Sequence, residues 1–181
     1  MATSAWLQFL GAVPAPSRAR LTALLTQAGI KVSDASRRSE GLGIAVLAQL
    51  DEDTLLSLGE LARDSTVLAV AFGASRLKPD AMWRLLDAGA ADLLLWSALP
   101  ADATEVACRL QRWQTIRDLV DSDRVRSRVA GQSAAWRALL RNVVEAARLT
   151  QASVLITGET GTGKEQIAHL IHELDGRKDV G

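Results

Sequence analysis

A glycine-rich segment in the last quarter of the chain has the residue types and the spacing of a phosphate-binding loop. It follows an apolar, β-branched run at 153–157, a predicted strand, and precedes a helical pattern over 166–174. Glycines let the backbone turn its N–H groups toward an anion, and the N-terminus of the following helix adds its dipole. The predicted loop is Gly158, Glu159, Thr160, Gly161, Thr162, Gly163, Lys164 and Glu165.

The general pattern of such loops is G-x-x-x-x-G-K-[ST], and this segment meets seven of its eight positions. Lys164 can reach the β- and γ-phosphates of a nucleotide as a point charge. Glu165 stands where a hydroxyl normally meets Mg²⁺. The alternative is a glycine-rich turn without a ligand, which the flanking strand and helix patterns disfavour.

The same eight residues closely resemble the Walker A loop of the bacterial enhancer-binding proteins, the NtrC-type AAA+ activators of sigma-54 RNA polymerase. In that family Glu follows the lysine. The resemblance extends upstream through 129–133 and 139–140 and downstream through 171–174, and so covers about the last third of the chain. It implies ATP and Mg²⁺ as ligands, and sigma-54 RNA polymerase as partner, in the full-length context.

The resemblance also implies what this chain lacks. The family's Walker B acids, its GAFTGA loop, its sensor residues, its arginine finger and its DNA-binding helices would lie beyond Gly181. We therefore expect no catalytic residue, no hydrolysis and no direct DNA binding within these residues, because phosphoryl transfer needs more than a phosphate cradle.

Composition predicts a cytoplasmic protein with one domain and part of another. The chain has 181 residues, 48% of them hydrophobic, and a formal net charge of zero, which does not favour binding to a polyanion. Cys108 is the only cysteine, so an intrachain disulfide is excluded. The start of the chain does not have the pattern of a signal peptide, and no apolar run approaches the roughly 20 residues that span a bilayer. His169 and His172 lack an evident third ligand, and we expect no metal site.

Strands alternating with helices before residue 120 predict an α/β fold, a doubly wound parallel sheet of the flavodoxin or receiver type. The predicted strands are 6–10, 30–32, 44–48, 67–71 and 92–96. Ser17 is the predicted cap of the first helix, Asp53 or Thr54 that of the second, and a third helix runs from Pro79 to Ala88. The order of elements, with Gly-Ala-x-Asp at 89–92, resembles a response-regulator receiver domain. Another doubly wound domain is the alternative.

A receiver domain would carry an acidic pair after its first strand, a phosphorylated aspartate ending its third, a hydroxyl after its fourth and a lysine after its fifth. The matching positions here hold Gly11, Ala12, Ala48, Gln49, Ala71, Phe72, Gly73, Trp96 and Ser97. Without carboxylates there is no site for a hard cation such as Mg²⁺, so we expect a non-phosphorylatable pseudo-receiver. Asp51 is the one carboxylate that could restore phosphorylation, through a shift of three residues.

The expected organisation is a receiver-like domain at 1–120, an exposed charged linker at 121–128 and the start of an AAA+ domain at 129–181, with a helix over 134–149. A long helix from Pro100 to Val120 would leave Trp113, Ile116 and Val120 uncovered by their own sheet. Burying them between two copies would be favourable, so we expect a homodimer.

The leading hypothesis is the N-terminal portion of a sigma-54-dependent transcriptional regulator. The alternative is a non-enzymatic interaction module that binds a partner regulator through its receiver-like domain. A small P-loop enzyme of another family is disfavoured, because no acidic Walker B strand follows the loop.

Overall fold

The computed structural model describes residues 3–34, 41–73, 77–96, 103–129, 131, 133–150 and 153–175. The chain divides into two compact units, Met1–Gln111 and Arg112–Gly181, here called unit 1 and unit 2. No helix among the described residues is both long enough and apolar enough to cross a membrane.

Unit 1 contains a five-stranded, all-parallel sheet with the strand order β2-β1-β3-β4-β5. The strands are β1 (Thr3–Leu10), β2 (Ile30–Asp34), β3 (Gly41–Leu47), β4 (Ser65–Phe72) and β5 (Asp92–Trp96). This order is that of flavodoxin-like doubly wound sheets, whose ligand sites lie where the order reverses, here between β1 and β3. The predicted fold class is confirmed.

Four helices are connected with this sheet: α1 (Ala15–Gln27), α2 (Glu52–Ala62), α3 (Pro79–Asp87) and α4 (Thr104–Val120). The predicted helix starts were wrong in two cases. Pro14 precedes α1, so Ser17 lies inside its first turn. Asp51, rather than Asp53 or Thr54, caps α2. Pro100, the predicted start of the long helix, lies outside the described residues.

The core of unit 1 is formed by strands buried on both faces. Ala45 and Val46 of β3 and Val67 to Val70 of β4 have no exposed surface. Such continuous burial is expected for central parallel strands, whose two faces are both covered by helices. Trp6 of β1 takes the space beside Gly43 of β3, where an added Cβ would lie 2.0 Å from the indole ring.

Unit 2 is built from the second part of α4 and three further helices: α5 (Asp123–Arg126), α6 (Ala134–Leu149) and α7 (Lys164–Leu174). The bounds of α6 are those predicted from the sequence. Ser133 caps it, because its Oγ accepts a hydrogen bond from the Trp136 N–H at 3.1 Å. The buried residues of unit 2 form one cluster: Ile116, Val120, Val125, Val129, Leu140, Val143, Val144, Ala147, Ile167, Leu170 and Leu174.

The strand predicted at 153–157 is not formed. Residues 153–157 belong to no ladder among the described residues, and Leu155 is 87% exposed. A strand needs a neighbouring strand to pair its backbone groups, and the described part of unit 2 is otherwise helical. The apolar, β-branched composition was therefore not sufficient for a strand.

The expected exposure of the long helix was wrong as well. Ile116 and Val120 are 4% and 9% exposed, because they pack in the same cluster as α6 and α7. Val125 in the predicted linker is fully buried there, although the neighbouring charged side chains do face solvent. The argument for a homodimer through this face is lost; the homodimer itself stays a prediction.

Candidate functional site

The backbone of the glycine-rich segment adopts conformations that require glycine. Gly161 has φ +85° and Gly163 has φ +81°, both in the left-handed region that residues with a Cβ rarely occupy. Gly163 directly precedes α7 as its N-cap residue. The sequence spacing of these glycines is thus explained by two tight turns of the chain immediately before a helix.

The lysine of the segment is held against the loop. Lys164 Nζ donates to the carbonyl oxygens of Gly158 at 3.0 Å and of Glu159 at 2.6 Å. The Glu159 carbonyl also accepts from Thr162, whose Oγ1 lies at 2.8 Å and whose N–H lies at 3.4 Å. These bonds close the loop on itself and keep a positive charge at its centre.

The first turn of α7 adds backbone donors to the loop. Ile167 N–H is the first to donate within the helix, to the Gly163 carbonyl at 3.2 Å. The N–H groups of Lys164, Glu165 and Gln166 precede it, and such groups have no intrahelical acceptor. Together with the helix dipole, they make this end of α7 favourable for an anion. The side chains of Thr160 and Glu165 are exposed.

A cavity of about 560 Å³ adjoins the loop within unit 2. It is lined mainly by apolar residues of α6 and α7 and by residues 154–158, and Thr162 and Lys164 line it as well. The sequence analysis predicted the helix over 134–149 but no cavity beside it. One wall is Trp136, which packs so closely on Gly131 that an added Cβ there would lie 2.5 Å from the indole ring.

No group of three potential metal-ligating side chains is found in the described part of the chain. His169 and His172 are both exposed on α7. Mg²⁺ is usually bound through one or two carboxylates together with the phosphates of its nucleotide, so a nucleotide site does not need a dedicated metal cage.

The point where the strand order reverses in unit 1 is occupied by small and neutral residues. Gly11 follows β1 with φ +84°, and a Cβ there would meet Gln49 Cγ at 3.4 Å and Ala48 Cβ at 3.5 Å. Ala48 N–H donates to the Leu10 carbonyl at 3.1 Å. The groups nearest to Gly11 are thus a methyl group and an amide side chain, neither of which carries a charge.

Asp51 is the carboxylate closest in sequence to this point, and its two oxygens are both engaged. Oδ1 accepts from the Thr54 N–H and Oδ2 from Gln49 Nε2, each at 2.8 Å. The hydrogen bonds from the Thr54 side chain and then its backbone N–H lower the pKa of Asp51. These contacts are those of a helix cap.

The residues at the ends of β4 and β5, which were matched to receiver positions, carry no ionisable side chain. Gly73 after β4 donates its N–H to the Trp96 carbonyl at the end of β5, at 3.1 Å. Trp96 is buried, and its Nε1 has no hydrogen-bond partner among the described residues. Ser97 lies outside the described residues.

A family model, three curated proteins and a solved structure resemble this chain. Residues 129–180 match the sigma-54 interaction domain. The transcriptional regulator VasH of Vibrio cholerae is 39% identical over 92 residues, which are 47% of this chain and 17% of that protein. The C4-dicarboxylate transport regulator DctD of Pseudomonas aeruginosa is 39% identical over 61 residues, 34% of this chain and 13% of that protein.

The formate hydrogenlyase transcriptional activator FhlA of Escherichia coli is 47% identical over 51 residues, 28% of this chain and 7% of that protein. A crystal structure of NtrX from Brucella abortus superposes with a TM-score of 0.48 at 19% identity, covering 99% of this chain and 42% of NtrX. The chain thus spans less than a fifth of the curated relatives it matches. The resemblance to sigma-54 activators is confirmed. The family model matches residues 129–180, and the alignment with VasH extends beyond them.

Proposed function

We propose that this chain is the N-terminal part of a sigma-54-dependent transcriptional regulator, which binds ATP at the loop Gly158 to Glu165 and carries unit 1 as a regulatory domain. The observation that carries the proposal is the arrangement around Lys164. Its ammonium lies over a loop with two left-handed glycines, at the start of a helix, inside the segment that matches the sigma-54 interaction domain.

The residues of the loop fit a nucleotide phosphate. Gly161 and Gly163 allow the backbone to come close to an anion, since neither carries a Cβ. Lys164 supplies a positive charge, and the first N–H groups of α7 supply donors. ATP, when bound, supplies the phosphoryl group; the chain's own residues bind and orient it. Glu165 is the only carboxylate in the first turn of α7, and one carboxylate is too few to bind Mg²⁺ alone. We therefore propose that Mg²⁺ is bound together with the phosphates of the nucleotide.

The partner implied by the proposal is sigma-54 RNA polymerase, contacted by the whole regulator. The interaction-module alternative assigns unit 1 the main role instead. The two readings make opposite predictions for the loop, because an interaction module does not need Lys164.

For unit 1 we propose regulation without phosphorylation. The support is the set of contacts at the strand ends. Gly11 and Ala48 lie between β1 and β3, where the strand order reverses. Both carboxylate oxygens of Asp51 accept hydrogen bonds, one from Gln49 and one from the Thr54 N–H in the first turn of α2. A signal would then be received through contact with a partner or a ligand.

The experiment is the thermal unfolding of the 181-residue chain with and without millimolar MgATP. A ligand that binds only the folded state adds RT ln(1 + [L]/Kd), about 1.4 kcal/mol at ten times Kd. We expect a rise in Tm for the unsubstituted chain, smaller than for a chain extended through the whole AAA+ domain. Lys164→Ala should abolish the rise.

Arg141→Ala is the matched control, because it removes one exposed positive charge from α6 in the same unit. It should keep the full ATP response. A response that survives Lys164→Ala, in the short or the extended chain, would refute the assignment of the loop.

A further inference from the structure

The predicted linker, residues 121–128, contacts the far end of the helix that starts at the phosphate loop. We call these residues the connector. The guanidinium of Arg124 donates to the Glu173 carbonyl oxygen in the last turn of α7. Arg128 pairs with the Glu173 carboxylate at 2.8 Å. From α6, Arg148 NH1 donates to the Leu174 carbonyl oxygen at 3.4 Å.

These contacts satisfy groups that the helix cannot satisfy itself. The last carbonyls of an α-helix have no intrahelical donor, and positive charge is favourable at that end because of the helix dipole. The residue after α7 is Asp175, which has φ −57° and ψ 112° and so does not form a glycine-type cap. The connector's guanidinium group takes the role of the cap.

An apolar contact anchors the connector beside these polar ones. Val125 has no exposed surface and belongs to the same cluster as Ile167, Leu170 and Leu174 on α7. Polar and apolar contacts therefore both link a four-residue helix, α5, to α7. A solvated linker would show neither.

We infer that the connector positions the phosphate loop: Arg124 and Val125 hold α7 in place, and α7 in turn fixes Lys164 and the loop before it. Because α7 is a single helix of eleven residues, about 16.5 Å long, displacement of its last turn changes the orientation of its first. Arg124 is thus a positioning residue, which acts on the loop through the helix.

Coupling between the connector and an ATP-binding loop is reciprocal, and this consequence rests on the proposed function. If docking of the connector favours the loop conformation that binds ATP, then ATP must favour docking of the connector by the same factor. A signal that moves the connector would in this way alter nucleotide affinity, and nucleotide would alter the connector.

The test is amide hydrogen exchange of the whole chain, read in peptides covering 158–166 and 167–175. Arg124→Ala should speed exchange in both by about three- to tenfold, as expected for the loss of one cationic contact at a helix end. Arg126→Ala is the matched control, because Arg126 lies on the same turn but pairs with Asp121 of the connector at 2.9 Å. It should leave both peptides unchanged, and Arg124→Lys should recover part of the protection.

A second readout separates positioning from simple support of the fold. In an ATP titration of the same chain, Arg124→Ala should raise the apparent Kd by about three- to tenfold, and ATP should slow exchange in 121–128 of the unsubstituted chain. Equal exchange in Arg124→Ala and Arg126→Ala would overturn the inference, as would faster exchange confined to 167–175 with the loop unaffected. If no variant binds ATP, the proposed function fails, while the exchange of 158–166 still decides whether the connector positions the loop.

Discussion

Unit 1 and the glycine-rich segment of unit 2 differ in strand pairing and in the residues of their loops. In unit 1 the strands are paired, and β3 and β4 are buried almost completely. The loops at the reversal point nevertheless carry glycine, alanine and a helix-capping aspartate. In unit 2 the loop carries Lys164 and the glycines of the proposed phosphate site, yet the run before it is unpaired, and Leu155 is 87% exposed.

The difference shows that a sheet and its chemistry are specified by separate residues. Burial of apolar strands between helices is enough to form the sheet, whatever stands at its loops. The loop of unit 2 has its two left-handed glycines, its lysine and its helix N-terminus, although the run before it is unpaired. Fold and site therefore have to be argued from different parts of the sequence.

The largest expected effect is on the free energy of unfolding, and it compares a leucine of a paired strand with a leucine of the unpaired run. Leu68 lies on β4 with no exposed surface, and Leu155 lies in the unpaired run. Leu68→Ala should lower the free energy of unfolding by about 2–5 kcal/mol, because it leaves a cavity in a packed core. Leu155→Ala should change it by less than about 0.5 kcal/mol. Urea unfolding followed by circular dichroism measures both.

Comparable losses in the two variants would contradict the contrast. Such a result would mean that Leu155 is covered in solution by another part of the chain or by a second copy. Size-exclusion chromatography with light scattering on the same samples distinguishes these two causes.

A smaller effect is expected where strands β1 and β3 of unit 1 approach each other. Gly43→Ala should lower the free energy of unfolding by about 1–3 kcal/mol, since the new methyl group would meet the Trp6 ring at 2.0 Å. In a Trp6→Leu background the same change should cost much less, because the smaller side chain leaves room. Chemical denaturation of the four chains of this double-mutant cycle gives the coupling.

If Gly43→Ala costs the same in both backgrounds, the Trp6 ring is not what requires glycine at position 43. The sheet of unit 1 would then tolerate a side chain there by another rearrangement, and the close packing of β1 on β3 would be less restrictive than the distances indicate.

Most of the fold could be predicted from local patterns. The bounds of α6 were predicted correctly, because Ser133 is a capping residue directly before an apolar pattern of helical period. The start of α2 was placed wrongly, because Asp51, Asp53 and Thr54 are all residue types that cap helices and sequence alone does not rank them. The missing strand at 153–157 could not be foreseen, because pairing depends on neighbours far away in sequence.

In the site, too, local features could be predicted and contacts between distant residues could not. The left-handed turns at Gly161 and Gly163 could be predicted, because glycine is the residue type that adopts them readily. The role of Lys164 and of the loop in binding phosphate stays a prediction. The role of Arg124 was not found, since its contact joins residues 49 positions apart and its charged neighbours have the composition of a solvated linker. The burial of Val125 was not predicted either, because its neighbours in sequence are charged.

The smallest expected effect concerns Asp51, whose predicted outcome is no change at all. Incubation of the chain with acetyl phosphate and Mg²⁺ should leave its intact mass unaltered. Both oxygens of Asp51 accept hydrogen bonds, from Thr54 and Gln49, and the lysine and acidic pair that assist phosphorylation in receivers are replaced by neutral residues. Asp51→Asn, which keeps a capping oxygen, is the control and should behave identically. A mass increase of one phosphoryl group that Asp51→Asn removes would show that unit 1 has retained receiver chemistry. The expectation that the sheet of unit 1 carries no phosphorylation site would then be wrong.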